Sequence, residues 1–337
     1  MNNTPSSSHF TGPSTRPGSN LSDLQPQPAI DASHRVPTGQ RALILGGGGS
    51  TGNAWLIGVV AGLFDAGLDV TAADLTVGTS AGSTAAAQLA GATPAELLDA
   101  VLAAVPQKPA GVDSRRAAPA RNSGGHNGAR TVTDHMERTG NILKASTDMA
   151  DMRRRMGAAA MDMAAAMEGA SERWRATVAA RLPQQEWPER LVLLTAVNAR
   201  TGEPVVLDRS SGVELVDAVA ASCASGFAYA VGSHHYIDGG YRTNADNADL
   251  AAGYSRVLVL SPFGGRTRTP AEWGMHLKAQ VDELRRSGSR VETIFPDSEA
   301  EHLFGTNAMD LSLRPAAAQA GFDQGRELAD PLREFWR

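Results

Sequence analysis

An α/β fold with a mostly parallel sheet covered by helices is what this sequence predicts, and three observations predict it. Short apolar runs of strand length recur along the chain, among them 41–45 (RALIL), 190–197 (RLVLLTAV) and 255–260 (SRVLVL). Between them lie longer segments whose apolar residues recur at helical spacing. Several of the runs end in glycine-rich turns that lead into such a segment, the order in which parallel strands hand over to covering helices. No internal repeat is seen.

The elements follow in order. Residues 1–40 are rich in Ser, Pro, Asn, Thr and Gln with isolated apolar residues, too few to offset ordering entropy, so a disordered tail is expected. At Arg41 the composition changes. Residues 41–45 read as a buried strand. Residues 53–66 read as a helix, with Trp55, Val59, Leu63 and Leu56, Val60, Phe64 at helical spacing and Gly67 closing it. Residues 74–77 are a second strand, followed by Gly78-Thr79-Ser80-Ala81-Gly82 and an alanine-rich helix to about Leu89. Thr93 and Glu96 have the spacing of a capping box that opens another helix.

Residues 106–131 show no period and read as a long mobile loop. Residues 148–182 read as helical, with Met149, Met152, Met156, Met163, Met167, Trp174, Val178 and Leu182 on one stripe. Strands are expected at 190–197 and 203–207, joined by an Arg-Thr-Gly turn, and a helix at 212–223. A short strand at 236–237 leads into Asp238-Gly239-Gly240. A strand at 255–260, a helix at 270–286, a strand at 290–295 and a helix at 314–326 complete the pattern. The expected organisation is a tail (1–40), one catalytic-type domain (41–328) with a loop and helical lid-like insertion (106–185), and a C-terminal extension (329–337).

Bulk properties exclude several classes. The chain has 337 residues and a net charge of −5 with acids and bases mixed, so it lacks the basic excess of a nucleic-acid footprint. Its single cysteine, Cys223, rules out an internal disulfide and fits a reducing compartment. No apolar run of about 18 residues spans a membrane, and no basic-then-apolar leader opens the chain. A cytoplasmic protein is therefore expected, with peripheral membrane contact as the compatible extension. No His/Cys/Asp/Glu cluster has metal-ligand spacing, so neither metal nor cofactor is expected. Oligomeric state is left open.

Three motifs carry chemistry. Gly78-Thr79-Ser80-Ala81-Gly82 matches G-x-S-x-G between an expected strand and helix. A sharp turn there lifts Ser80 out of the sheet as a nucleophile, Gly78 and Gly82 give it room, and the Ala81 N–H begins a helix whose partial positive charge suits an oxyanion. The plainer reading is a serine that caps the helix. Gly47-Gly48-Gly49-Ser50-Thr51-Gly52 fits the dinucleotide pattern G-x-G-x-x-G, with Asp69 about 20 residues on as a ribose-binding acid. It fits equally a glycine loop whose N–H groups meet a tetrahedral intermediate; it lacks the G-K-[ST] of an ATP-type phosphate loop. A serine elbow one strand–helix unit later suits the acyl-transfer reading. Asp238-Gly239-Gly240 is either a turn or a carboxylate base with cleared space. A Ser-His-Asp arrangement using Asp238 with His276 or His302 is the rival, although neither histidine has a turn-rich context.

Taken together, the glycine-rich loop after the first strand, G-x-S-x-G after the second and D-G-G late in the chain resemble the patatin-like phospholipase family over about residues 41–328. Softer likenesses are "AVNARTGEPVVLD", "AVAASCASGFAYAV" and "GFDQGRELA". The resemblance implies a three-layer α/β/α sandwich and a Ser–Asp dyad without histidine, acting on lipid esters with no cofactor. By position it makes Ser80 the nucleophile, Asp238 the base, and Gly47, Gly48 and Gly49 the lining of the oxyanion hole, with Ala81 beside them. Gly78, Gly82, Gly239 and Gly240 support these motifs. The alternative within the family is an inactive lipid- or nucleotide-binding relative. Three positions depart from the pattern: Thr51 stands where the loop carries Arg or Lys, Asn198 where an Asp is common, and Gly226 where a Pro is usual. The methionine-rich segment with the loop before it reads as a lid over an acyl-chain pocket, and Arg153-Arg154-Arg155 as a solvated face or a contact for anionic head groups.

Overall fold

The computed structural model describes residues 31–33, 36–103 and 127–337, with 127–134 described by backbone alone. Most of the expected tail, and 106–126 of the expected mobile loop, lie outside these residues. The described residues form an eight-stranded sheet. Strand β1 (Gly39–Leu45) lies at its centre, parallel to β2 (Leu75–Gly78) on one side and β7 (Tyr254–Leu260) on the other. Beyond β2 runs β3 (Leu191–Asn198), and beyond β7 runs β8 (Arg290–Ile294), both parallel to their neighbours. Three short strands, β4 (Pro204–Leu207), β5 (Tyr229–Val231) and β6 (His234–Asp238), are antiparallel.

Side chains alternate along a strand, so each central strand feeds two cores. In β1, Leu43 and Leu45 belong to one apolar cluster, and Ala42 and Ile44 to another. In β7, Leu258 and Leu260 join the first, Val257 and Val259 the second. The first face is covered by α1 (Gly49–Asp65), α2 (Ala81–Gly91), α3 (Pro94–Leu102), α7 (Leu215–Ser222) and α9 (Arg314–Trp336). The second is covered by α8 (Leu277–Arg286) and, over β3 and β6, by α5 (Met149–Ala165). The architecture is a three-layer α/β/α sandwich with a mixed, mostly parallel sheet.

One helix pair has unusual packing. α1 and α9 run side by side in the same direction with their backbones in near contact. A Cβ added at Gly58 would lie 2.1 Å from the carbonyl oxygen of Ala318, and one at Gly62 2.1 Å from that of Phe322. The relation is reciprocal: a Cβ at Gly321 would meet the Trp55 carbonyl at 2.4 Å, and one at Gly325 the Val59 carbonyl at 2.3 Å. The indole N–H of Trp55 donates to Gln324 Oε1 at 3.1 Å across the seam, which satisfies a polar atom that burial would otherwise strand.

Several elements differ from the expectation. The segment 148–182 is two helices, α5 and α6 (Ala170–Ala179), because Gly169 takes a left-handed conformation (φ 66°) between them. The methionine stripe divides with it. Met149, Met152 and Met156 are buried against Val197, Ala199, Ala228 and Ile237, whereas Met167 is 40 % exposed. An additional helix, α4 (Asn127–Ala145), includes residues assigned to the loop. The expected helix at 270–286 starts at Leu277, since Gly274 (φ 68°) ends a separate short turn before it. The last helix does not stop at 326 but continues to Trp336, with Ala329, Leu332, Phe335 and Trp336 buried. Residues 329–336 are thus part of the fold and not an extension, and Pro331 sits within the helix. Asp31 and Ala32, inside the expected tail, bond to Val206 on β4.

Candidate active site

Sheet register brings two chain ends together. Leu194 of β3 pairs with Gly78 of β2 on one side and Leu207 of β4 on the other. Two residues on, Ala196 pairs with Asp238 of β6 and Val205 of β4. A strand residue has two lateral neighbours, so β2 and β6 flank the same edge of β3. They run toward each other, and both stop near Thr195. The residues just beyond their ends are therefore forced into proximity.

On the β2 side the chain turns sharply into α2. Gly82 permits this turn, since a Cβ there would come within 1.8 Å of the Leu45 carbonyl oxygen. Ser80 absorbs the bend with φ 51° and ψ −113°, a conformation that side-chain-bearing residues avoid at a cost of about 1–3 kcal/mol. Its N–H donates to Ser222 Oγ at 3.0 Å, and its carbonyl accepts from Ser83 Oγ at 2.6 Å and Cys223 Sγ at 3.1 Å. On the β6 side, Gly239 lets the chain pass over β3, because a Cβ would meet Thr195 Oγ1 at 2.1 Å.

Between the two ends, Ser80 Oγ donates to Asp238 Oδ2 at 2.8 Å, and the Gly240 N–H donates to Asp238 Oδ1 at 2.8 Å. Asp238 is 8 % exposed. Burial raises its carboxyl to about 6, and the bonds from Gly240 and Ser80 oppose that rise by favouring the anion. Cys223, half-buried, is pushed up to about 11 by desolvation and then by the Asp238 charge, and stays a thiol. A small crevice reaches Ile237 and Tyr241, which bracket Asp238 in sequence, and is closed by Met156 of α5 together with the polar side chains His135, Arg138 and Thr139 of α4.

The glycine loop lies across from this pair. The Gly47 N–H donates to the Ala245 carbonyl at 2.7 Å. Gly47 therefore offers space, with an added Cβ 3.6 Å from that of Ser80, but no spare donor. Gly48 and Gly49 sit at the start of α1, and Ala81 at the start of α2, where N–H groups lack helical partners. Thr51 is fully buried; its N–H donates to Ala308 O at 3.0 Å and its hydroxyl has no partner. Asn198 accepts from the N–H groups of Arg200 and Thr201, a turn-stabilising role that an aspartate would fill equally. An added Cβ at Gly226 would meet nothing within 4 Å.

Other expected participants are elsewhere. His276 bonds to the Thr269 carbonyl and His302 to that of Glu299; Ser80 reaches Asp238 directly. Asp69 receives the N–H and hydroxyl of Thr71, and it precedes β2 instead of ending it. Arg153 donates to the carbonyls of Gly202 and Arg242 and so ties α5 to its neighbours, whereas Arg154 and Arg155 pair with Asp151 of their own helix at 3.8 and 2.7 Å. Among the described residues no group of three or more His, Cys, Asp and Glu could hold a metal ion, and no helix is long and apolar enough to cross a membrane.

Sequence reasoning missed the residues that hold the two ends in register. Asn247 Nδ2 donates to Thr79 Oγ1 at 3.0 Å and to the Gly239 carbonyl at 3.0 Å, and Thr79 Oγ1 bonds to Thr195 Oγ1 at 2.9 Å. All three residues are fully buried. The signal available was the polar run after Asp238-Gly239-Gly240, which contains Asn244, Asp246 and Asn247. Asp246 lies under the loop, with Oδ1 unpartnered, and burial raises its carboxyl to about 7. Its proton is lost from the unfolded chain near pH 4 but held by the folded one up to about 7, so stability falls across that window and is level above it. Asp246→Asn removes this effect. Its melting temperature should match that of the wild type at pH 4 and exceed it increasingly up to pH 7, by roughly 2–4 kcal/mol of stability at the plateau. A gap that is constant with pH would refute the assignment of that carboxyl.

Residues 43–251 match the family described as patatin-like phospholipase, and the chain belongs to that family. No curated protein matches it in sequence. Three solved structures are similar at low identity. VipD from Legionella pneumophila has 15 % identity and a TM-score of 0.37, over 88 % of this chain and 67 % of that one. The type III effector ExoU has 13 % identity and a TM-score of 0.29, over 86 % and 54 %. Full-length ExoU in complex with SpcU, from the type III secretion system of Pseudomonas aeruginosa, has 17 % identity and a TM-score of 0.30, over 86 % and 53 %. The chain thus spans about two thirds of VipD and about half of ExoU.

Proposed function

We propose that this chain is a serine acyl hydrolase that cleaves carboxylic esters of lipids through a Ser80–Asp238 dyad. The observation that carries the reading is the 2.8 Å hydrogen bond from Ser80 Oγ to a buried carboxylate, at the meeting point of two strand ends. Asp238 accepts the Ser80 proton as Oγ attacks the ester carbonyl, and the carbonyl π electrons move to oxygen. The N–H groups of Gly48, Gly49 and Ala81 receive that oxyanion; such a donor is worth roughly 3–4 kcal/mol in comparable sites. Collapse expels the alcohol, which takes its proton from Asp238. Water then attacks the acyl-Ser80 ester while Asp238 removes its proton, and that proton returns to Ser80 as the acid leaves. A carboxyl raised to about 6 is ionised at neutral pH yet basic enough to take part.

Fluorophosphonate labelling tests the reading, together with hydrolysis of p-nitrophenyl butyrate and of phosphatidylcholine vesicles. Wild type should label and hydrolyse both substrates, Ser80→Ala should do neither, and His276→Ala with His302→Ala should retain activity. A folded wild type that neither labels nor hydrolyses would falsify the assignment.

A further inference from the structure

We propose that Arg314 is a positioning residue for the glycine loop, holding from α9 the first turn of α1 that follows it. The inference rests on the acyl-hydrolase reading, in which Gly48 and Gly49 act through their N–H groups. Those groups are only as well aimed as the first turn of α1 that follows them. Thr51 gives that turn no charge, and its hydroxyl is without a partner. Arg314, the first residue of α9, reaches the same turn from 264 positions away. Its Nη1 donates to the Ser50 carbonyl at 2.7 Å and to Ser50 Oγ at 3.2 Å, and Nη2 donates to Asn53 Oδ1 at 3.1 Å.

The guanidinium also links the loop to the elbow. Asn53, 5 % exposed, uses its amide on Gln88 Oε1 at 3.0 Å and more weakly on the Ala81 carbonyl at 3.4 Å. Ala81 follows the nucleophile and offers the third oxyanion donor. Arg314 therefore clamps the helix that begins at Gly49 and, through Asn53, the helix that begins at Ala81.

The charge itself is informative. Among the described residues no carboxylate pairs with Arg314, and its hydrogen-bond acceptors on Ser50 and Asn53 are neutral. Its guanidinium is disfavoured first by burial and then by the like charge of Arg181. A neutral glutamine could reach some of the same oxygens without that cost. A planar, two-pronged cation is what holds two acceptors in fixed relation, and lysine, a point charge, does so only in part.

The test compares Arg314→Gln, Arg314→Lys and Arg314→Gly on p-nitrophenyl butyrate, a neutral ester, and on phosphatidylcholine vesicles. A misaimed oxyanion loop should lower kcat about tenfold to a hundredfold on both substrates, with KM within about twofold. Lys should recover part of the loss, and added methylguanidinium should restore Arg314→Gly saturably while its thermal melt stays unchanged. Full activity in Arg314→Gln overturns the proposal. So does a loss confined to KM on the phospholipid, which would make Arg314 a head-group contact. A loss that follows the melting temperature and resists methylguanidinium overturns it as well. A wild type inactive on both substrates defeats the hydrolase reading instead.

Discussion

Asp238→Asn should lower kcat/KM by about two to four orders of magnitude, the range for losing a general base, and should also make the protein more stable at neutral pH. Both effects come from one buried carboxyl. Asparagine keeps an oxygen for the Gly240 N–H and can donate its amide to Ser80 Oγ, so the fold at the strand ends survives, but it cannot take a proton. In the wild type, kcat/KM should rise as pH passes through about 6 and level off above it, since the ionised form is the active one. The stability sign is opposite. The unfolded carboxyl ionises near pH 4 and the folded one near 6, so the contribution of Asp238 to wild-type stability declines between those values and is level above them. The asparagine variant escapes that decline and should gain on the order of 2 kcal/mol above pH 6. Thermal melts at pH 4 and pH 8 beside a pH–rate profile measure both. If Asp238→Asn keeps wild-type turnover, the base is another group.

The second large effect is on the seam between α1 and α9. On an exposed helix, replacing glycine by alanine gains about 1 kcal/mol of helix propensity. At Gly58 and Gly62 the new methyl would sit 2.1 Å from a backbone oxygen of α9. A carbonyl in a helix cannot swing aside as a long side chain can, so the helices must separate. Overpacking of this kind costs about 1–3 kcal/mol and outweighs the propensity gain. Gly62→Ala should destabilise by about 2 kcal/mol, and Gly58→Leu by more than about 4 kcal/mol. Urea midpoints report the change, and a midpoint raised by Gly62→Ala would show that the seam is looser than described. Activity should fall with stability here, because Arg314 travels with α9.

The contrast between what was legible and what was not follows from distance along the chain. Gly78–Gly82 and Asp238–Gly240 each hold a strand end, a turn and a reactive side chain within five residues or fewer, so local spacing exposes them. The sheet is legible for the same reason: strands buried on both faces read as continuous apolar runs. Ser222, Thr195 and Asn247, which hold the turns at Ser80 and Asp238 in register, are ordinary polar residues in sequence and gain meaning only through the pairing of β2, β3 and β6. α4 has a clear helical period carried by few apolar residues, so a reading that looks for apolar runs passes over it, and the Gly169 break is obscured because the apolar spacing runs across it. The α1–α9 seam left its trace as glycines four apart in both helices, Gly58 and Gly62, Gly321 and Gly325, but two such pairs say nothing of each other until the fold sets them side by side.

That seam also sets an order of events during synthesis. α1 follows the first strand, whereas the helix that covers its glycine face comes only after all eight strands of the sheet. Until α9 emerges, the Trp55 indole N–H lacks its Gln324 acceptor, the Ser50 turn has no guanidinium, and the loop ahead of it has no fixed aim. Contacts this remote in sequence form late and slowly. The nascent chain can therefore pair its central strands and bring Ser80 toward Asp238 while the glycine loop is still unset, and the arrangement is complete only when α9 closes on α1.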